Sequence, residues 1–108
     1  MYFEKIKVFL NRLRKWDVEI IDDEKYVLSF YLKNKYETKY FYLCHQKNPN
    51  LKETCKLRPR YHYYYCQFSE DDVPDGRLQQ FVSLHDAVWL QDEDDVIYWI
   101  KKRQKTGK

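Results

Sequence analysis

Residues 55–68 read CKLRPRYHYYYCQF. Four tyrosines and a histidine stand between two cysteines, directly behind Lys56, Arg58 and Arg60. Side chains of these types serve four chemistries: a metal site, an acid–base site acting on RNA, a stacking platform for nucleic acid, and a tyrosine-rich protein contact. Each makes its own demand on the rest of the chain.

Zinc takes thiolates and imidazoles, and Cys44, His45, Cys55, His62 and Cys66 are suitable donors. His62 and Cys66 fall on one face of a strand, within reach of Cys44 on a neighbouring strand. The spacing Cys-x10-Cys-x6-His-x3-Cys contains no tight knuckle that presets two ligands. No metal and no cofactor is therefore expected, and Cys44 and Cys66 read as small buried residues. A metal-independent ribonuclease needs an acid or base near the ribose 2′-hydroxyl and cations at the phosphate. His62 with a tyrosine meets the first need, and Lys56, Arg58 and Arg60 meet the second. Small bacterial toxins built this way place a helical hairpin ahead of the sheet, whereas here a single helix leads directly into strands. No catalytic residue is assigned.

The other two chemistries are non-catalytic and draw on the same residues. Tyr61, Tyr63 and Tyr65 on one strand face, beside Tyr40 and Tyr42, offer stacking surface for single-stranded nucleic acid, about 1–3 kcal/mol per base. Lys39, Lys47, Lys52, Lys56, Arg58 and Arg60 would follow the phosphates. The glycines that accompany the aromatics of RNA-binding sheets are missing. Protein recognition asks for less. Tyrosine and arginine dominate protein-binding hot spots because they combine large rigid contact area with a polar tip. The expected binding surface is Tyr40, Tyr42, Tyr61, Tyr63 and Tyr65 with Lys52, Lys56, Arg58 and Arg60. The chain thus reads as a small non-catalytic interaction protein, of the kind a phage or mobile element encodes to modulate a host protein. Single-stranded nucleic-acid or RNA binding through the same surface is the alternative.

Composition narrows the field further. The chain has 108 residues, 44% hydrophobic, 34% charged and 19% aromatic, the make-up of one soluble globular domain. Its two glycines, Gly76 and Gly107, cannot form a phosphate-cradling loop, which excludes P-loop and dinucleotide chemistry. No apolar run approaches the ~20 residues that span a bilayer. The start, MYFEKIKVFLNRLRKW, interleaves five cations with its apolar residues, unlike a secretory signal. Three cysteines, an odd number, point to reduced thiols and a cytoplasmic protein. Residues 1–66 carry fourteen cations against eight acids, and residues 67–108 six against nine. The surface is therefore dipolar, with a basic first half.

The elements that must position these residues follow from periodicity. Tyr2, Ile6, Phe9, Leu13 and Trp16 recur at helical spacing, predicting a helix whose cations face water. From Asp17 the period becomes two. Val18–Ile21 predicts a short strand, Asp22-Asp23-Glu24 a polar turn, and Tyr26–Lys33 a strand with Leu28, Phe30 and Leu32 on one face. Asn34 suits a tight turn. Tyr36–Cys44 predicts a third strand, with Tyr40, Tyr42 and Cys44 opposite Phe41 and Leu43. After a polar connector with one helical turn at 51–57, Arg60–Phe68 predicts a fourth strand. Leu78–Leu84 predicts a fifth. Ser83 and Asp86 form a capping pair opening a short helix through Ala87, Val88, Trp89 and Leu90. A last helix starts in the carboxylates of Asp92–Asp95 and ends in Lys101, Lys102, Arg103 and Lys105, as its dipole favours. The expected fold is α+β: an N-terminal helix, an antiparallel sheet of four or five strands, and a helical C-terminus. The domain covers 1–104 and a basic tail 105–108. With helices on one face only, the other sheet face is expected to meet solvent or a partner.

Overall fold

The computed structural model describes residues 2–49, 62–70 and 87–104. It is an α+β fold: α1 (Glu4–Asn11), β1 (Asp17–Asp23), β2 (Val27–Lys33), β3 (Thr38–His45), β4 (Tyr64–Ser69), β5 (Val88–Leu90) and α2 (Glu93–Gln104). The strands form one antiparallel sheet in the order β1-β2-β3-β4-β5. No helix among the described residues is long and apolar enough to cross a membrane.

α1 is shorter than its apolar period. It ends at Asn11, and i→i+3 bonds from Arg12 N–H to Phe9 O (3.1 Å) and Leu13 N–H to Leu10 O (3.2 Å) tighten its last turn. Leu13 and Trp16 still reach the core, but from the connection to β1. A helix carried to Trp16 would leave no residues to turn into a strand that begins at Asp17. The buried centre of the helix is Phe3, Ile6 and Leu10, with Tyr2 and Phe9 flanking.

Asp22 and Asp23, expected in a polar turn with Glu24, belong instead to β1. Ile20 pairs with Phe30 and Asp22 with Ser29, so Ile21 is the extra residue of a β-bulge. Ser29, fully buried, stabilises the irregularity. Its hydroxyl accepts from Asp22 N–H (3.1 Å) and donates to Asp22 Oδ2 (2.7 Å). The chain then reverses at 24–26, closed by Glu24 N–H to Val27 O (2.8 Å). At the next reversal Asn34 acts through its side chain, Oδ1 accepting from Tyr36 N–H (2.8 Å) and Glu37 N–H (2.9 Å).

Residues 88–90 form a strand where a short helix was expected. Pairing Val88, Trp89 and Leu90 with Cys66, Tyr65 and Tyr64 satisfies the open edge of β4, which a local capping signal cannot anticipate. Ser83 and Asp86, the fifth strand expected at 78–84, the helical turn at 51–57 and the tail 105–108 lie outside the described residues.

Alternation divides the side chains between two clusters. On one face Leu28, Phe30, Leu32, Phe41, Leu43 and Cys66 meet Ile6 and Leu10 of α1 and Val96, Trp99 and Ile100 of α2. Phe41 is the hub: it lies 5.1 Å from Phe30, 5.2 Å from Phe68 and 5.6 Å, edge-on, from Trp99. The other face carries Tyr40, Tyr42, Cys44 and Tyr65, with Ile21, Val27, Tyr31, Ala87 and Trp89 against them.

One carboxylate ties the two helices together. Asp92 caps α2, accepting from Asp95 N–H (3.0 Å), which leaves Glu93 free to cross to α1. Glu93 Oε1 accepts from Lys5 N–H (3.0 Å) and Ile6 N–H (3.3 Å), donors that the side chain of Phe3, the residue at the N-cap, does not satisfy. The exposed Lys5–Asp94 pair (3.8 Å) adds little. Glu93→Ala is therefore expected to lower the free energy of unfolding by about 1–2 kcal/mol, against less than about 0.5 kcal/mol for Asp94→Ala. Urea titration of both variants checks the difference.

Candidate functional site

Of the nine residues expected to form a binding surface, the structure describes four. Lys52, Lys56, Arg58, Arg60 and Tyr61, like Cys55, lie outside the described residues. Of the four described tyrosines, Tyr40 is 0% exposed, Tyr42 6% and Tyr65 3%, whereas Tyr63 is 38% exposed. Tyr40, Tyr42 and Tyr65 are thus packed side chains, contrary to an exposed tyrosine face. They sit on β3 and β4, the inner strands, and their rings are covered within the second cluster. Tyr40 meets Tyr31 edge-on at 4.9 Å, Tyr65 lies 5.3 Å from Trp89, and Gln67 Nε2 donates to Tyr65 Oη (2.9 Å). Burial, then the neighbouring Cys44, pushes the Tyr42 phenol far above its ordinary range, so it stays protonated. None of these rings offers a face for stacking a base.

Lys39 is corrected in the same way. Expected to follow phosphates, it is 1% exposed, because it shares the helix-covered face of β3 with Phe41 and Leu43. Its ammonium donates to Arg103 O at the end of α2, lies 3.7 Å from Glu37 Oε1 and sits 5.5 Å from the centre of the Trp16 ring. A cation is favoured at a helix C-terminus, and here it comes from the sheet beneath. Removing it would leave a partly buried carbonyl and a half-buried carboxylate without this partner. Lys39→Ala is expected to cost about 2–4 kcal/mol.

The zinc donors are separated by the strand register. Leu43 pairs with Cys66 and Cys44 with Tyr65, so the two thiols point to opposite faces. Burial holds the Cys66 thiol well above its usual range, in its protonated form. Asn48 Nδ2 donates to Cys44 Sγ (3.2 Å). Among the described residues no group of three or more His, Cys, Asp and Glu side chains is placed to hold a metal ion. His62, the acid or base that a ribonuclease would need, is half-buried just ahead of β4.

What the fold does assemble is an aromatic stack at one end of the sheet. His45 ends β3 and is buried. Tyr2, ahead of α1, stacks on it at 4.0 Å, and Tyr26, in the β1–β2 turn, stacks on Tyr2 at 5.6 Å. Tyr63, ahead of β4, lies 6.4 Å from His45 with its ring nearly parallel, and Tyr64 meets His45 edge-on at 5.2 Å. Tyr64 Oη donates to Tyr2 O (2.5 Å), which fixes the N-terminal segment to the sheet. Tyr63 is held by its main chain, donating to Leu90 O (3.0 Å) and accepting from Gln46 N–H (2.8 Å). Two exposed cations flank the stack: Lys25 lies 5.2 Å from the Tyr26 ring centre and Lys47 6.0 Å from that of Tyr2. Beside Tyr2 opens a half-enclosed cleft of about 430 Å³, lined by Tyr2, Phe3, Glu4, Asp23 and Glu24 together with Lys7 and Lys25.

Tyr2, Tyr26 and His45 escaped the sequence reading because 24 and 19 positions separate them along the chain. The one local signal is that each stands at an element boundary, where a strand face ends and its last ring is free to meet others. The chain matches no protein-family model, no curated protein and no solved structure.

Electrostatically the stack is a neutral centre with a basic rim. Nδ1 of His45 accepts the Lys47 N–H (3.2 Å), so the ring proton resides on Nε2. Burial, then the Lys47 charge, lowers the imidazole from 6.5 to about 4. Burial, then the Glu93 and Asp92 carboxylates, keeps the Tyr64 phenol protonated far above its ordinary range. A group lowered in the folded state makes the unfolded chain the better proton acceptor between the two values. Stability at His45 is full above pH 6.5 and is lost as the pH falls toward about 4. The loss is at most roughly 3–4 kcal/mol, at about 1.4 kcal/mol per unit. Urea unfolding at pH 7.5, 6 and 5 is expected to show this decline in the native chain and a flatter one in His45→Phe.

Proposed function

We propose that the chain is a small non-catalytic binding protein that docks on another protein through its sheet-end aromatic stack. The observation that carries this reading is the Tyr26–Tyr2–His45–Tyr63 stack, with Tyr63 exposed and Lys25 and Lys47 on its rim. The rings are held by packing and main-chain hydrogen bonds, so little side-chain freedom is lost when a partner covers them. A rigid aromatic patch with a cationic rim suits an acidic or mixed protein surface. His45, neutral and stacked, serves here as a wall of the patch. The buried thiols Cys44 and Cys66, on opposite faces, favour a reducing compartment such as the cytoplasm.

The nucleic-acid reading loses support with the burial of Tyr40, Tyr42, Tyr65 and Lys39, four of the residues it needs in contact with bases and phosphates. The two readings differ in salt dependence. Phosphate contacts release counterions, so nucleic-acid affinity collapses between about 50 and 200 mM salt. A protein partner captured on the immobilised chain and identified by mass spectrometry is expected to bind Tyr63→Ala at least roughly thirtyfold more weakly, about 2 kcal/mol. Lys47→Ala should mainly slow association. Equal binding of Tyr63→Ala overturns the proposed surface. Micromolar binding of labelled single-stranded RNA that vanishes at the higher salt restores the alternative.

A further inference from the structure

The β1 strand combines an edge position with an unusual charge. Among the described residues β1 pairs only with β2, leaving its outer side without a strand. Its sequence, DVEIIDD, carries four carboxylates in seven residues, and Asp17, Glu19 and Asp23 are exposed. Ile20, 42% exposed, adds an apolar contact at mid-strand. Glu19 is met by Lys33 (2.6 Å) and Asp23 by Lys7 (2.5 Å), in pairs open to solvent that rearrange at little cost. Asp17 and Asp22 add charge that these two lysines do not offset.

Charge on an edge strand, with a bulge, normally prevents edge-to-edge association. Here it also selects what can associate. Antiparallel pairing of two copies about Ile20 would set Asp17 opposite Asp23 at both ends, and parallel pairing in register would set each carboxylate on its own copy. A second copy of the chain is therefore repelled, whereas a strand bearing lysine or arginine is attracted.

We propose that the outer edge of β1 is a docking site for an extended, lysine- or arginine-rich segment of a partner protein, which adds as a further strand. Main-chain hydrogen bonds along the edge supply affinity, and the carboxylates supply register and selectivity. This site is opposite in charge to the sheet-end surface and does not depend on it.

The test uses the full chain and a labelled eight-residue peptide of alternating arginine and valine, followed by fluorescence anisotropy at about 50 mM salt. The expected result is saturable binding, lost when glutamate replaces arginine and at least tenfold weaker with Asp17→Lys/Glu19→Lys. Two N-methylated peptides, each methylated on one alternate set of amides, separate strand addition from simple charge attraction while leaving the protein unaltered. One of them should bind at least tenfold more weakly than the other, because only one set faces β1. Hydrogen exchange should slow at the β1 amides on peptide addition. Equal binding of both methylated peptides, protection elsewhere than β1, no binding at all, or a dimer in sedimentation that is lost in Asp17→Lys/Glu19→Lys would each overturn the proposal.

Discussion

The burial of β3 on both faces constrains everything around it. Seven of its eight residues, Lys39–His45, are buried, and two of those, Lys39 and His45, carry groups that must find partners. Each partner places another part of the chain. Lys39 reaches the last turn of α2 and so sets where that helix ends over the sheet. His45 receives the ring of Tyr2 and the N–H of Lys47, so it anchors the entry to α1 and the turn after β3. Phe41, between them on the same face, aligns Phe30, Phe68 and Trp99. A central strand with polar groups at both ends and an aromatic at its middle fixes register as well as burial.

The helices meet the same economy of charge. The acidic start of α2 serves two N-termini, because Asp92 closes its own helix and Glu93 closes α1. Two positive helix ends near one another would be unfavourable without that shared carboxylate. The basic end of α2 is likewise used against rings, with Arg103 4.7 Å from the Trp99 ring centre and 5.7 Å from that of Phe68. Much of the charge in the chain is therefore engaged in holding elements together.

Contact surfaces are left to the margins of the sheet. With Tyr40, Tyr42 and Tyr65 packed away, the proposed contacts are the end of the sheet, where rings meet under lysines, and its β1 edge, where carboxylates line a strand that among the described residues pairs only with β2. Both margins lie in the basic first half of the sequence, so this separation of charge is distinct from the contrast between the two halves. A basic aromatic patch and an acidic strand suit two different kinds of protein surface.

The α+β class, the β1–β2–β3 meander, the aromatic fourth strand and the last helix were legible because each rests on a local period or on a terminal charge pattern. The assignment of Leu28, Phe30 and Leu32 to one face and Val27, Ser29 and Tyr31 to the other needs only alternation. Which of those faces is covered is not a local property, and so the tyrosines of β3 and β4 and the cation of Lys39 were read as exposed when they are buried. The end of α1, the bulge at Ile21 and the strand at Val88–Leu90 likewise depend on partners distant in sequence. The candidate site shows the same limit: of its rings the sequence points only to Tyr63 as a contact, and Tyr2, Tyr26 and His45 join it only when the strands pair. Sequence period determined the type of the longer elements, and tertiary packing decided the short strand at Val88–Leu90 and which side chains water and partners can reach. Periodicity is written over a few residues, and burial is a sum over the whole fold.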